Sequence, residues 1–357
     1  MKRSFLYLVV LTLIALSAVV FLVSKDGSSE KLVVEAFFLP GIAGQINDVN
    51  RVEIVTAGNS PVATLVRDEA QWRVEQMGGY RADWSKLQAL LAALAQARVI
   101  EPKTDNPEYY GRLGVEDVTA DNAASMLVRF SIGDQTTGIL IGRQAQGRQG
   151  TYVRLEDTPA SALVDREFEV PAQLIDWTDS RIIDISSSEV AEIEIIHPSS
   201  ERVLATRISA DQTDFNLAGL LAERELKSSW AVNSLGSVFT MLDMETVRPA
   251  GNIDWTDAIK IRVLGFSGME ILADLVQLED EYLLRLHASH PAASIVQGDE
   301  EGTVGQQEIE KQAEEDVAGM VDAINLKVDG WAYGISKQKF EAMVKKPEDL
   351  LKPLETP

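Results

Sequence analysis

Hydrophobic and polar positions in this chain recur in one order twice. Val52-Glu53-Ile54-Val55 alternates as a half-buried strand does, Ala63 to Arg67 supplies a second strand, and Gln71-Trp72-Arg73-Val74-Glu75 a third. From Asn47 onward these predict a small antiparallel meander. Asp83 then offers an N-cap to a helix in which Trp84, Leu87, Leu90, Leu91 and Leu94 keep three- and four-residue spacing, so one stripe is expected to be buried. The helix leaves through Val99-Ile100-Glu101-Pro102.

The second pass repeats the plan. Ile193 to Ile196, Val203 to Ile208 and Asp214 to Leu217 give three strands, a helix follows with Trp230, Leu235, Val238, Phe239 and Leu242 as its stripe, and it leaves through Thr246-Val247-Arg248-Pro249. The offset between matched positions grows from 141 at the first strand to 146 at the tryptophans and 148 along the helix, as small loop insertions produce. The echo continues with Met126 to Ile132 against Ile259 to Phe266, and Tyr152 to Leu155 against Tyr282 to Leu286. Two copies are too few for a solenoid, so the pattern predicts two related modules.

Ile-Asp-Trp-Thr-Asp occurs at 175–179 and again at 253–257, an offset of 78 that does not fit the repeat. Each copy suits a turn beside a folded-in ring. After Ser289-His290-Pro291 the pattern breaks into an acidic stretch holding Asp299, Glu300, Glu301, Glu308, Glu310, Glu314, Glu315 and Asp316 against Lys311. It reads as a mobile loop running into a helix near Ile309 to Ile324. A strand at Trp331 to Ile335 and a helix at Lys337 to Lys346 follow, and Pro347, Pro353 and Pro357 mark a fraying tail.

Residues 4–23 carry no charge, and as a helix they cover ~30 Å, the thickness of a bilayer's hydrocarbon layer. Lys2 and Arg3 precede the run while Lys25 and Asp26 cancel beyond it, which keeps the N-terminus cytoplasmic. A cleaved signal peptide is the rival reading, with Ala15-Leu16-Ser17 as its site. The apolar continuation through Val19 to Val23 favours an anchor. The expected layout is therefore α+β: residues 1–24 as cytoplasmic tip and transmembrane helix, 25–46 as linker, 47–186 and 187–288 as two antiparallel-sheet-plus-helix modules, 289–326 as acidic insertion and 327–357 as the C-terminal strand, helix and tail.

Composition narrows the partners. Hydrophobic residues make up 45% of the 357, enough for one large core or two ordinary ones. The formal net charge is -22, and -24 once Lys2 and Arg3 are set aside, so nucleic acid is not an expected partner. With no cysteine there is no disulfide, lipoprotein anchor or thiol nucleophile.

The doubled modules after an N-terminal apolar run, Gly142 at an Ile-Leu-Ile-Gly strand end, Tyr152-Val153-Arg154, and Trp177-Thr178-Asp179 followed by Arg181-Ile182-Ile183-Asp184 together resemble the bacterial family catalogued as domain of unknown function 4340. The resemblance covers roughly residues 47–345. It implies a membrane-anchored accessory subunit, of a kind commonly encoded beside an ABC transporter of the gliding-motility type and its periplasmic partner. It carries no catalytic residues, and the acidic stretch after His290 departs from the family's compact form.

The residues themselves offer little chemistry. His197, His287 and His290 lack metal-ligand spacing and read as surface or loop histidines, so no metal or cofactor is expected. Gly142, Gly147 and Gly150 have no following Lys-Ser or Lys-Thr and read as a hairpin loop, in which Arg143 and Arg148 are the candidate contacts for an acidic partner. There is no Gly-x-Ser-x-Gly elbow, and carboxylate runs such as Glu156-Asp157 and Glu279-Asp280-Glu281 are expected in solvated turns. Trp72, Trp84, Trp230 and Trp331 are expected in the core. The leading expectation is a non-catalytic accessory or assembly protein in the bacterial inner membrane, its bulk periplasmic, with inner-membrane lipid, an ABC transporter permease and periplasmic proteins as partners. The alternative is a module that binds a glycan or envelope polymer in the cleft between the repeats.

Overall fold

A computed structural model describes residues 36–42, 44–69, 71–220, 223–291 and 304–353. The apolar run at 4–23, the spacer behind it, the loop expected before residue 304 and Pro357 lie outside the described residues. Among the described residues no helix is long and apolar enough to cross a membrane.

The fold is α+β with antiparallel sheets and few helices. The first half supplies β1 (Val49–Thr56), β2 (Ser60–Asp68), β3 (Gln71–Val74), β4 (Tyr80–Arg81), α1 (Trp84–Gln96), β5 (Val99–Pro102), α2 (Tyr110–Leu113), β6 (Met126–Ile132), β7 (Gln135–Gln144), β8 (Thr151–Leu155) and β9 (Ser161–Val164). After it come β10 (Arg181–Ile183), β11 (Val190–Ile196), β12 (Arg202–Thr206), β13 (Asn216–Leu217), α3 (Ser229–Asn233), β14 (Leu242–Asp243), β15 (Thr246–Pro249), β16 (Ile259–Gly265), β17 (Glu270–Leu278) and β18 (Glu281–Ser289). The chain ends in α4 (Val304–Val328), β19 (Trp331–Gly334), α5 (Lys337–Met343) and α6 (Pro347–Leu350).

Compactness divides the chain into a first unit, comprising residues up to Val49, Thr56–Asn59 and Ala89–Val170, and a second, comprising Asn50–Val55, Ser60–Gln88 and everything from Pro171. In the first unit the strands follow the order β6-β7-β8-β9-β5. The outer edge of β5 is extended by the chain leading into β1: the Phe38 N–H donates to the Ala97 carbonyl at 2.8 Å and the Val99 N–H to Ala36 at 2.9 Å. The glycine expected at a strand end instead lies inside β7. A Cβ at Gly142 would stand 2.5 Å from the Leu113 carbonyl oxygen, so the close approach of that backbone requires glycine.

In the second unit the run β4-β3-β2-β1 accompanies a sheet of order β13-β12-β11-β16-β17-β18-β19-β15, and β10 pairs with β14. The strand orders correspond: β3-β2-β1 matches β13-β12-β11, and β6-β7-β8-β9-β5 matches β16-β17-β18-β19-β15. The runs end in β5 and β15 respectively. The acidic segment with α4 occupies the connection between β18 and β19, where the first copy needs only residues 156–160.

The two helices differ because their sequences do. α1 is rich in alanine and leucine, strong helix formers, and Asp83 caps it by accepting the backbone N–H groups of Ser85 and Lys86. Its counterpart Ser228 to Ser237 contains serines, an asparagine and Gly236, so it forms five α-helical residues and then a 3-10 turn at Ser234–Ser237 instead of one helix. Gly236 is required there, since a Cβ would meet the Phe215 ring at 2.6 Å. The stripes are nonetheless buried in both: Leu87, Leu90, Leu91 and Leu94 in α1, and Leu235, Val238, Phe239 and Leu242 in the second copy. Full burial of each such side chain contributes about 1.5–3 kcal/mol.

Candidate functional site

The glycine-rich segment is a hairpin loop between β7 and β8, closed by an Ala145 N–H to Gly150 carbonyl bond of 2.8 Å. Gly150 has φ +126°, and a Cβ there would stand 2.2 Å from the Val164 carbonyl oxygen. Arg148 is exposed but engaged, its Nη2 donating to Glu101 Oε2 at 2.7 Å. The Lys103 ammonium, 2.8 Å away, and then Arg148 hold the Glu101 carboxyl down to about 2. Arg143 sits near the end of β7, exposed, with its stem against Gly114 and no ion partner among the described residues.

The histidines are placed differently from each other. His197 is buried, contrary to a surface reading, because its ring lies within hydrogen-bond distance of the Lys345 carbonyl, 3.2 Å from Nε2. His287 faces outward on β18 with Nδ1 3.1 Å from Asp329 Oδ1, while His290 lies against Gly268. No group of three metal-ligating side chains is placed to hold an ion among the described residues.

Titratable groups gather on the outer face of the sheet in the second unit. Ile195, Ile261, Val263, Ala273, Leu286 and Ala288 alternate toward the core, so Glu194, Lys260, Arg262, Asp274, Arg285 and His287 point outward. Register then sets the partners: Glu194 lies opposite Arg262, and Asp274 opposite Arg285. Arg262 is held by Glu192 and Glu270, and Arg202 by Glu194. Burial opposes the charge on Arg262, and the two carboxylates more than restore it, so its pKa is raised. Arg285 donates from Nε to Asp274 at 2.8 Å and lies over the Trp255 ring at 4.7 Å.

The turn Asp329-Gly330-Trp331 walls this face into a groove of about 560 Å³. Lys260 alone among its cations has no ion partner among the described residues. The arrangement suits recognition of a polar or charged surface by its rim.

Two tryptophans expected in the core are at the surface. Trp84 is 50% exposed and stacks on buried Trp72, ring centroids 6.4 Å apart and planes 14° apart. Trp230 is 76% exposed. Each sits in the first turn of its helix, ahead of the buried stripe, so the spacing rule placed both one position too far into the core. Trp331 is half-buried, edge-on to Tyr80 at 4.9 Å. The repeated pentapeptide does share a device: the Trp177 indole donates to the Pro171 carbonyl at 3.1 Å and the Trp255 indole to Ala250 at 3.2 Å, and each turn precedes a strand.

Sequence reasoning missed the charged groove. Its signal was present in the i, i+2 spacing of Lys260 with Arg262 and of Arg285 with His287, but the partners across strands depend on register. Residues 72–245 match the model of a family described as Domain of unknown function (DUF4340), which supports the resemblance to that family. The match runs from β3 through β14 and includes Arg143 and Arg148. No curated protein and no solved structure matches the chain.

Proposed function

We propose that this DUF4340-like chain is a membrane-anchored, non-catalytic accessory or assembly protein of the bacterial cell envelope, associated with an ABC-type transport system. The observation that carries the reading is the uncharged run at 4–23, set between Lys2-Arg3 and a body of formal charge -24. In this reading the run lies in inner-membrane lipid beside a transporter permease, and the body works in the periplasm against partner proteins. Exposed Arg143 and the groove rimmed by Lys260 are its contact surfaces, with Arg148 released from Glu101 where a partner carboxylate competes. Crosslinking in intact cells followed by purification under denaturing conditions tests it. Recovery of a transporter permease or a periplasmic protein in covalent complex is expected, and recovery of the chain alone contradicts it.

The alternative, a module binding a glycan or envelope polymer, is favoured by the exposure of Trp84 and Trp230, since indole faces stack on sugar rings. Thermal shifts of the full-length protein with soluble peptidoglycan fragments separate the readings. Stabilisation that disappears in Trp84→Ala and Trp230→Ala supports the glycan, and an unchanged transition with every fragment removes it.

A further inference from the structure

Register sets the outward side chains of the charged groove in two rows. Lys260, Asp274 and Arg285 stand side by side across β16, β17 and β18, and Glu194, Arg262, Leu272 and His287 form the neighbouring row that begins on β11. The guanidinium, imidazole and carboxylate groups are each fixed at one end. Arg262 is held through Nε by Glu270 and through Nη1 by Glu192, Arg285 reaches Asp274 Oδ2 through Nε and Nη2, and His287 Nδ1 meets Asp329 Oδ1. Among the described residues this leaves Arg262 Nη2, Arg285 Nη1 and His287 Nε2 without a protein partner, and likewise Asp274 Oδ1 and Asp329 Oδ2. The groove thus offers both donors and acceptors, already oriented by their other bonds.

The ligand class follows by elimination. The lining sets Glu194, Asp274 and Asp329 against Lys260, Arg262 and Arg285, so neither a polyanion nor a polycation is favoured. An acyl chain would take these charges out of water and give them nothing in return. The floor is the face of a sheet whose backbone groups already pair between strands, so an extended peptide finds no main-chain hydrogen bonds there. What complements the groove is a neutral molecule dense in hydroxyls, since each hydroxyl both donates and accepts. Such a molecule also needs an apolar face, for Leu272 is 40% exposed on the floor and half-buried Trp331 lines the wall. The volume of about 560 Å³ is that of a small-ligand site.

We propose that this groove binds a neutral saccharide, its neighbouring hydroxyls held by Asp274, Arg285 and His287 and its ring face laid against Trp331. The site goes beyond both readings above. It uses neither Trp84 nor Trp230, and it holds whether or not a transporter is the partner, because the rim with Lys260 remains a surface for protein contact.

The test uses the full-length protein in phosphatidylcholine nanodiscs. The probes are three neutral trisaccharides, chitotriose, cellotriose and maltotriose, with inositol hexakisphosphate and trilysine as charged controls. Calorimetric titration is expected to give at least one trisaccharide a dissociation constant of about 1 mM or tighter, and neither control any binding in the groove. Asp274→Asn and His287→Ala are each expected to weaken that trisaccharide at least about tenfold, as loss of a charge-assisted hydrogen bond does, while Trp84→Ala and Trp230→Ala leave it unchanged. A second readout needs no groove variant to fold: in the nitrogen-15 spectrum of the parent protein, the Trp331 indole signal is expected to move on titration and those of Trp84 and Trp230 to stay. No trisaccharide binding, binding only of a charged control, an unmoved Trp331 signal, or affinity lost only in the Trp84 and Trp230 variants would each overturn the proposal. If the groove fails while covalent complexes with transporter components are still recovered from cells, the accessory role survives without it. If the groove binds and no such complexes form, the transporter context is what falls.

Discussion

Asn325 on α4 stands in for a strand residue opposite Ala288 on β18: its Oδ1 accepts the Ala288 N–H and its Nδ2 donates to the Ala288 carbonyl, both at 2.8 Å. β19 pairs with β18 only at Leu283 and Leu284, so the later part of β18 would otherwise present an open edge. One side chain thus fastens the inserted helix to the sheet.

Asn325→Leu is expected to lower unfolding free energy by about 1–3 kcal/mol, because two buried backbone groups lose their partners. Urea denaturation monitored by circular dichroism reads this as a lower midpoint with an unchanged slope. An unchanged midpoint would mean that α4 is held by its apolar contacts alone.

Gly78 closes the turn after β3 with φ +65°, and a Cβ there would stand 2.7 Å from Pro249 Cδ. Gly78→Ala is expected to cost at least about 1 kcal/mol, from the left-handed backbone conformation and the crowding together. Thermal unfolding of the variant measures it, and a transition at the original temperature would contradict the close approach.

Of the six tryptophans Trp177 is fully buried and Trp230 is 76% exposed. Trp177→Ala is expected to cost about 3–5 kcal/mol, as large core truncations do, and Trp230→Ala less than about 0.5 kcal/mol. Acrylamide quenching of intrinsic fluorescence should fall most in Trp230→Phe. Equal quenching in Trp177→Phe and Trp230→Phe would refute the placement.

The carboxyl of Glu101 titrates near 2 in the folded state, against an ordinary 4.5, through Lys103 first and Arg148 second. A lowered folded-state pKa contributes stability that is fully present above about pH 4.5 and is lost as pH falls from there toward about 2. Lys103→Ala is therefore expected to raise the Glu101 pKa toward 4.5, as followed by carbon-detected NMR of its carboxyl. A carboxyl already titrating near 4.5 in the parent protein would contradict the pairing with Lys103 and Arg148.

Much of the strand plan was legible because half-buried antiparallel strands alternate, and both copies alternate in the same places. The four helix pairs offset by 148, from Leu87 with Leu235 to Leu94 with Leu242, are buried in every case. Their leading pair, Trp84 and Trp230 at offset 146, is exposed in both copies. Periodicity locates a stripe but not the turn at which it begins to meet the sheet. The charged groove was not readable for another reason: Arg262 meets Glu192 and Glu270 through register that no local pattern encodes.

The central claim is an exported body held at the membrane by residues 4–23. Single cysteines introduced at exposed Lys260 and at Ser4 of this cysteine-free chain, probed in intact cells with a membrane-impermeant maleimide, test it directly. The account predicts labelling at position 260, protection at position 4 until the cells are lysed, and the intact chain in the membrane fraction. Protection at both positions with the intact chain recovered from the cytosol would contradict it.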